Sequence, residues 1–193
     1  MVCCMVETAA KKASPRQKLL AAADELFYNE GIRSVGIDRV IERAGVAKGS
    51  LYYNFGSKDD LIKEYLLGRH AAWTARIDAA IAAQSDPKSR VLAVFDVLGE
   101  LFAEPDYRGC AFMNAVAEAP EGGPELAAAA NFRAWLHGMF DDLVTALGAQ
   151  NPSLVAGQLV ILYDGAVSAA QMDSSPAAAQ TAKTLAAMVL ESR

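Results

Sequence analysis

The chain has few of the residues on which enzymes, metal sites and secreted domains depend. Its 193 residues include 2 histidines and 3 cysteines. Cys3 and Cys4 are adjacent and cannot readily bridge to each other, so no disulfide framework is visible and a reducing, cytoplasmic location is favoured. Cys and His fit no metal-site spacing, and a glycine-rich phosphate loop and a nucleophile elbow are missing. We therefore expect no metal, no cofactor and no catalysis.

Long hydrophobic runs are missing as well. No uncharged apolar stretch reaches the roughly 18 residues of a membrane-spanning helix, and the opening segment lacks the features of a signal peptide. Strand-like alternation of apolar and polar residues does not extend over a useful length. The sequence thus predicts no membrane segment and no sheet.

Positive charge is scarce and unevenly placed. The net formal charge is -5. Residues 1–60 carry nine Lys and Arg against eight Asp and Glu, whereas residues 61–193 carry nine against fifteen. Only the first third can therefore meet a polyanion without strong repulsion.

Apolar residues at helical spacing, in contrast, are abundant. Ser14, Pro15 and Gln17 form a helix start with a capping box, and Gly31 ends that helix. Two short helices follow over 37–44 and 48–55, and Ser57 caps a long helix that extends to about Ser85. Further helices are predicted near 87–102, 109–118, 124–148, 152–172 and 176–191, so we expect an all-α fold.

Two short helices joined at Gly45 are typical of a helix-turn-helix that reads DNA. In the second one, Leu51 and Phe55 are one turn apart and face inward, which leaves the other residues facing outward. Duplex DNA requires cations for its phosphates and compact donors or acceptors for its base edges. The residues predicted to bind DNA are Lys48, Gly49, Ser50, Tyr52, Tyr53, Asn54 and Lys58.

Three consecutive stretches carry a known pattern, namely GIRSVGIDRVI from Gly31, AGVAKGSLYYNF from Ala44 and SKDDL from Ser57. Over residues 16–61 the chain resembles the DNA-binding domain of the TetR family of transcriptional regulators. The resemblance implies that Ser50, Tyr52 and Tyr53 touch DNA and that Lys58 grips a phosphate.

Four positions depart from that family pattern. Val35 and Gly36 stand where hydroxyl residues are usual, which puts the cap and phosphate contact of the second helix in doubt. Asn54 stands where His is common, and its amide could read adenine. Ile41 replaces a usual Ala and is expected to change the packing of the first two helices.

The resemblance also implies a domain plan. We expect a mobile arm over 1–13, a helix-turn-helix domain over 14–60, and a larger helical domain over 61–193 that binds an effector and forms a homodimer. Small residues in the last two helices favour that dimer. The expected function is a repressor released from a palindromic DNA operator by a small-molecule effector.

Bulky residues of the larger domain are candidates for an effector pocket, each with core packing as the alternative. Asn114 can find its partner in the protein or in a ligand. The candidates are Trp73, Phe95, Phe112, Met113, Asn114, Trp135 and Tyr163.

Two alternatives stay open at this point. Cys110, in a segment RGCAFMNAVAE that resembles one subgroup of the family, can be an inert buried thiol, a redox sensor, or a nucleophile beside His70 or His137. The whole chain can also be a helical ligand-binding protein or minor enzyme whose likeness to a DNA reader is vestigial.

Overall fold

The computed structural model describes residues 13–191, and these form nine α-helices without a β-strand, which confirms the predicted all-α class. The expected arm over 1–13 lies outside the described residues except for residue 13. The helices are α1 Pro15–Glu30, α2 Ile37–Ala44, α3 Lys48–Phe55, α4 Lys58–Ala82, α5 Pro87–Phe102, α6 Ala111–Glu118, α7 Pro124–Ala146, α8 Pro152–Asp173 and α9 Ala177–Glu191.

Local signals place the helix ends where they were expected. The Ser14 hydroxyl accepts a hydrogen bond from the backbone N–H of Gln17, and the Gln17 side chain accepts one from Ser14 N at 2.8 Å, which confirms the capping box. The Ser57 hydroxyl likewise accepts from Asp60 N at 3.1 Å at the start of α4. Each cap satisfies an amide that has no partner within its helix.

The first three helices pack around one small core. Leu19, Phe27, Val40 and Leu51 are buried at its centre. Val35 has no exposed surface, so this departure from the family pattern serves packing instead of hydrogen bonding. The start of α2 has no side-chain cap, as the glycine before it led us to expect.

Helix α4 joins this unit to the rest of the molecule. Near its start, Leu61 and Ile62 are buried where α4 meets α1 and α3. Near its end, Ile77 is buried where α4 packs on α5 and α7. A single helix therefore extends through both packed groups and can transmit movement between them.

The second packed group consists of α5, α7, α8 and α9, with α6 lying against α4 and α7. Its centre contains Phe95, Leu136, Phe140 and Leu159, all essentially without exposed surface. By length and composition alone, α8 is apolar enough to cross a membrane, and it is the one such helix in the described residues. Its inner face packs against α7 and α9, as the core helix of a bundle does.

Candidate nucleic-acid interface and ligand cavity

Helix α3 is two turns long and has one buried face. Leu51 and Phe55 are buried against the first core, as their spacing predicted. On the other face, Tyr52 is 49% exposed and Tyr53 is 90% exposed. An aromatic ring left almost wholly in water contributes little to the core, so its surface is free for a partner.

The predicted residues around these tyrosines differ in their surroundings. Lys48 and Gly49 are exposed, and the Lys48 ammonium pairs with Asp38 of α2 at 2.7 Å. This hydrogen bond and the charge of Asp38 raise the pKa of Lys48. Ser50 and Asn54 are half-buried, and the Asn54 amide donates to the Ser50 carbonyl oxygen at 2.7 Å. The Asn54 amide is thus directed at its own helix.

Lys58, at the start of α4, is held against the protein. Its Nζ donates to the Ile32 carbonyl oxygen at 2.7 Å and lies 5.8 Å from the centroid of the Phe27 ring. Burial lowers the pKa of Lys58, and the charge of Arg33 lowers it further. In this arrangement Lys58 ties α4 to the turn after α1, and a phosphate contact would require the side chain to swing outward.

A contact between the two packed groups escaped the sequence analysis. The backbone N–H of Arg33 donates to the Glu118 carboxylate at 2.8 Å, and Arg33 Nε donates to the Glu118 carbonyl oxygen at 2.9 Å. Gly31 has a φ of +90°, and a Cβ atom there would lie 2.7 Å from Glu118 Oε1. Glycine is therefore needed at this turn for its dihedral angle and for the close approach of Glu118.

Helix α1 makes a second contact with the larger group through Tyr28. Its hydroxyl donates to the Gly109 carbonyl oxygen and accepts from the Arg108 N–H, both at 2.9 Å. Arg69 of α4 stacks over the Tyr28 ring at 4.0 Å and forms a two-point ion pair with Asp24. The segment that leads into α6 is thus bonded directly to the group formed by α1, α2 and α3, which is the candidate DNA-reading unit.

Two cavities lie beside α6 and share a wall. The first, which we call the α4 cavity, has a volume of about 240 Å³, and the second, the α6 cavity, has about 420 Å³. Phe112 and Phe132 line both, with ring centroids 4.2 Å apart and an interplanar angle of 5°. Cys110, Tyr163 and Val167 complete the shared wall. The α4 cavity is further lined by Tyr28, Arg69, Ala72, Trp73, Arg76, Leu101, Glu104, Tyr107, Gly109 and Ala111, and the α6 cavity by Met113, Val116, Ala117, Ala129, Arg133 and Asp164.

Four of the seven predicted pocket residues line these cavities, and three lie elsewhere. Trp73, Phe112, Met113 and Tyr163 are in the walls. The other three are accounted for by protein partners: Phe95 packs against Phe140 in the core, Trp135 packs against His70 and Phe132, and the Asn114 amide donates to the Arg108 carbonyl oxygen at 2.9 Å. Tyr28 and Tyr107 also line the α4 cavity and were not among the predicted pocket residues, because Tyr28 belongs to α1, outside the larger domain, and Tyr107 lies in the loop between α5 and α6.

Cys110 lies in the shared wall with its thiol in an unreactive setting. Burial raises the pKa of the Cys110 thiol, and the backbone N–H groups of Met113 and Phe112 oppose this only in part. A neutral thiol is a weak nucleophile. The environment therefore favours the inert cysteine over the sensor and the nucleophile.

Sequence and structure comparisons place the chain among bacterial regulators. A family model described as "Bacterial regulatory proteins, tetR family" matches residues 19–65. The crystal structure of SCO4454, a TetR-family transcriptional regulator from Streptomyces coelicolor, is 34% identical, with a TM-score of 0.87 over 92% of this chain and 95% of that one.

Two curated relatives each match about half of the chain. The transcriptional activator FasR of Mycolicibacterium smegmatis is 32% identical over 49% of this chain and 42% of its own. The transcriptional repressor KstR2 of Mycobacterium tuberculosis is 30% identical over 47% of this chain and 46% of its own. The matches thus span somewhat under half the length of these curated relatives.

Proposed function

The chain belongs to the TetR family of transcriptional regulators, and on that premise we propose that it binds a palindromic operator in double-stranded DNA through α3 and leaves it when an effector occupies the cavities beside α6. The observation that carries the proposal is the outer face of α3. Leu51 and Phe55 anchor the helix to the core, while Tyr53, 90% exposed, presents its ring and hydroxyl to the surroundings. A major groove accepts an α-helix mounted in this way.

The charges around α3 suit a phosphate backbone. Lys48 now neutralises Asp38, and a DNA phosphate can take the place of that carboxylate because both residues of the pair are exposed. We assign Lys48, Gly49, Ser50, Tyr52 and Tyr53 to the DNA interface. Asn54 and Lys58 join them if their side chains leave the intramolecular hydrogen bonds described above.

A second copy of the chain is the expected partner for α8 and α9. These helices leave large apolar side chains in water, among them Ile161 at 71% and Met172 at 81% exposure. Met188 on α9 adds to the same exposed apolar surface, and Gly165 and Ala169 line a groove between the two helices. Pairing with a two-fold related copy would bury these side chains in a four-helix interface and place two α3 helices on two half-sites.

A single helix, α6, connects the cavities to the turn before α2. Helix α6 begins beside Cys110 and Phe112 in the cavity wall and ends at Glu118, which holds the turn at Arg33. An effector that displaces the Phe112 ring therefore acts on the same rigid helix that contacts the DNA-reading unit. To release DNA, the effector must bind the incompetent arrangement more tightly than the competent one.

The domain plan and the direction of regulation follow from this proposal. The helix-turn-helix domain is assigned to 14–60 and the effector-binding and dimerisation domain to 61–193, preceded by the arm over 1–13. Because the operator is chromosomal DNA, the protein acts in the cytoplasm, without a membrane partner and without catalysing a reaction. We assign it as a repressor, as KstR2 is described to be, although FasR is named an activator.

The proposal is tested by measuring binding to operator fragments selected from genomic DNA, at several salt concentrations. Lys48→Ala should lower the salt dependence of log K by about one unit, because one phosphate contact is lost. Lys63→Ala is the matched control, since Lys63 is also an exposed lysine paired with an aspartate, Asp60, but lies on α4 instead of α3. Tyr53→Ala should weaken operator binding by about 1–3 kcal/mol. Failure of the unaltered protein to bind any fragment at low salt would refute the assignment.

A further inference from the structure

We infer that the effector is a planar, uncharged aromatic molecule whose carbonyl oxygen accepts hydrogen bonds from Trp73 and Tyr163 in the α4 cavity. This inference rests on the proposed function, since it names the chemical class of the ligand for that same site. The carbonyl class includes aromatic ketones, lactones and quinones.

The first observation is a buried donor without an acceptor. The indole Nε1–H of Trp73 has essentially no contact with solvent and no hydrogen-bond partner in the described part of the chain. The Tyr163 hydroxyl faces this indole closely enough to interact with it, but the contact does not satisfy hydrogen-bond geometry. An unpaired buried N–H is costly, and a ligand oxygen that accepts from both groups after a small shift of the indole would remove that cost.

The second observation concerns charge. Each arginine in the cavity walls is already paired with carboxylates of the protein: Arg69 with Asp24, Arg76 with Glu100 and Glu104, and Arg133 with Asp164. An anionic ligand would find no free cation and would have to displace one of these carboxylates. A cationic ligand offers no acceptor to the indole N–H and would lie near two guanidinium groups. A neutral ligand loses the least hydration on entering such a site.

The third observation is shape. Phe112 and Phe132 are stacked with an interplanar angle of 5°, and this flat pair separates the two cavities. Trp73 and Tyr163 line the same α4 cavity as this pair. A planar ring system can stack on this wall and keep an oxygen at its edge directed toward the two donors.

The test uses four compounds that share the indane skeleton and differ at position 1. They are 1-indanone, with a neutral acceptor; indane, with none; indane-1-carboxylate, an anion; and 1-aminoindane, a cation. None of them alkylates a thiol, so reaction with Cys110 does not interfere. Dissociation constants for the intact protein are measured by ligand-observed NMR.

We expect 1-indanone to bind roughly tenfold more tightly than indane and more tightly than both charged compounds, because two hydrogen bonds are gained. Trp73→Phe and Tyr163→Phe should each weaken 1-indanone binding about three- to tenfold and leave indane binding unchanged. Trp135→Phe, at the chain's other tryptophan outside both cavities, is the control and should change neither. Equal binding of indanone and indane, a preference for either charged compound, or absence of binding up to the solubility limit overturns the inference.

Operator binding is measured in parallel so that the two proposals can be separated. If 1-indanone binds with the expected selectivity but leaves operator affinity unchanged, the ligand class stands and the effector part of the proposed function fails. If selectivity is lost while the protein still binds its operator, the ligand class alone is wrong.

Discussion

Glu118 and Arg33, 85 residues apart in sequence, are joined by two hydrogen bonds, of 2.8 and 2.9 Å, that connect the end of α6 to the turn before α2. The start of α6 lies in the cavity wall, so under the proposed function this pair is one of the places where a change around a ligand would reach the DNA-reading unit. Its geometry depends on Gly31, whose missing side chain leaves room for the Glu118 carboxylate.

Gly31→Ala should therefore destabilise the protein by about 1–2 kcal/mol, because alanine is strained at a φ of +90° and its Cβ would press on Glu118. Urea denaturation of the single and double variants separates the two causes. In a Glu118→Ala background, Gly31→Ala should lower the free energy of unfolding by a smaller amount, but not by zero, since the backbone strain remains. If Gly31→Ala destabilises the protein equally with and without the Glu118 side chain, then the contact between the alanine Cβ and Glu118 contributes no strain.

The lowered pKa of Lys58 should make the stability of the protein depend on pH. Burial lowers the pKa of Lys58 in the folded protein below its ordinary value of 10.5, with Arg33, Asp59, Glu118 and Glu125 as the charged groups around it. Between the folded and unfolded pKa values the unfolded chain binds a proton that the folded chain does not, so stability should rise with pH in this window.

The measurement is the difference in the free energy of unfolding between the unaltered protein and Lys58→Met, followed from neutral pH to about pH 10.5. The free energy of unfolding of the unaltered protein should increase relative to that of the variant as the pH increases, because methionine does not titrate. Lys63→Met, at an exposed lysine, serves as the control for the loss of a lysine side chain. A difference that stays flat for Lys58→Met would mean that its ammonium is fully hydrated.

Cys110 should react slowly with iodoacetamide at neutral pH. Its raised pKa keeps the thiol protonated, and its position in the wall restricts access. Mass spectrometry of the Cys110 peptide should show alkylation at least about tenfold slower in the folded protein than in urea. Equal rates would restore the redox-sensor alternative.

Ile161→Lys should shift the protein from dimer to monomer in sedimentation experiments, because a charge placed in the apolar surface of α8 and α9 would be buried without a partner. Leu67→Lys is the matched control, since Leu67 is also an exposed apolar residue, 54% accessible, but lies on α4. A dimer that survives Ile161→Lys and dissociates with Leu67→Lys would place the interface on the wrong pair of helices.

The amino-acid sequence by itself determined the helices, their ends and the exposed face of α3. Ser14, Ser57 and Leu51 act through neighbours within four residues, and such local geometry follows directly from helical periodicity. Trp73, Phe112, Met113 and Tyr163 line a cavity and were predicted only as bulky side chains of the larger domain, a criterion that also selected Phe95 of the core.

Only the tertiary structure decided which surfaces those helices present to each other. Periodicity indicates that Phe95 and Trp135 have a buried side, but it does not tell whether that side meets a core or a cavity, since a cavity is the space left between several packed helices. The hydrogen bond of Lys58 to Ile32 and the approach of Glu118 to Gly31 join segments 26 and 87 residues apart, and no local pattern encodes such distances.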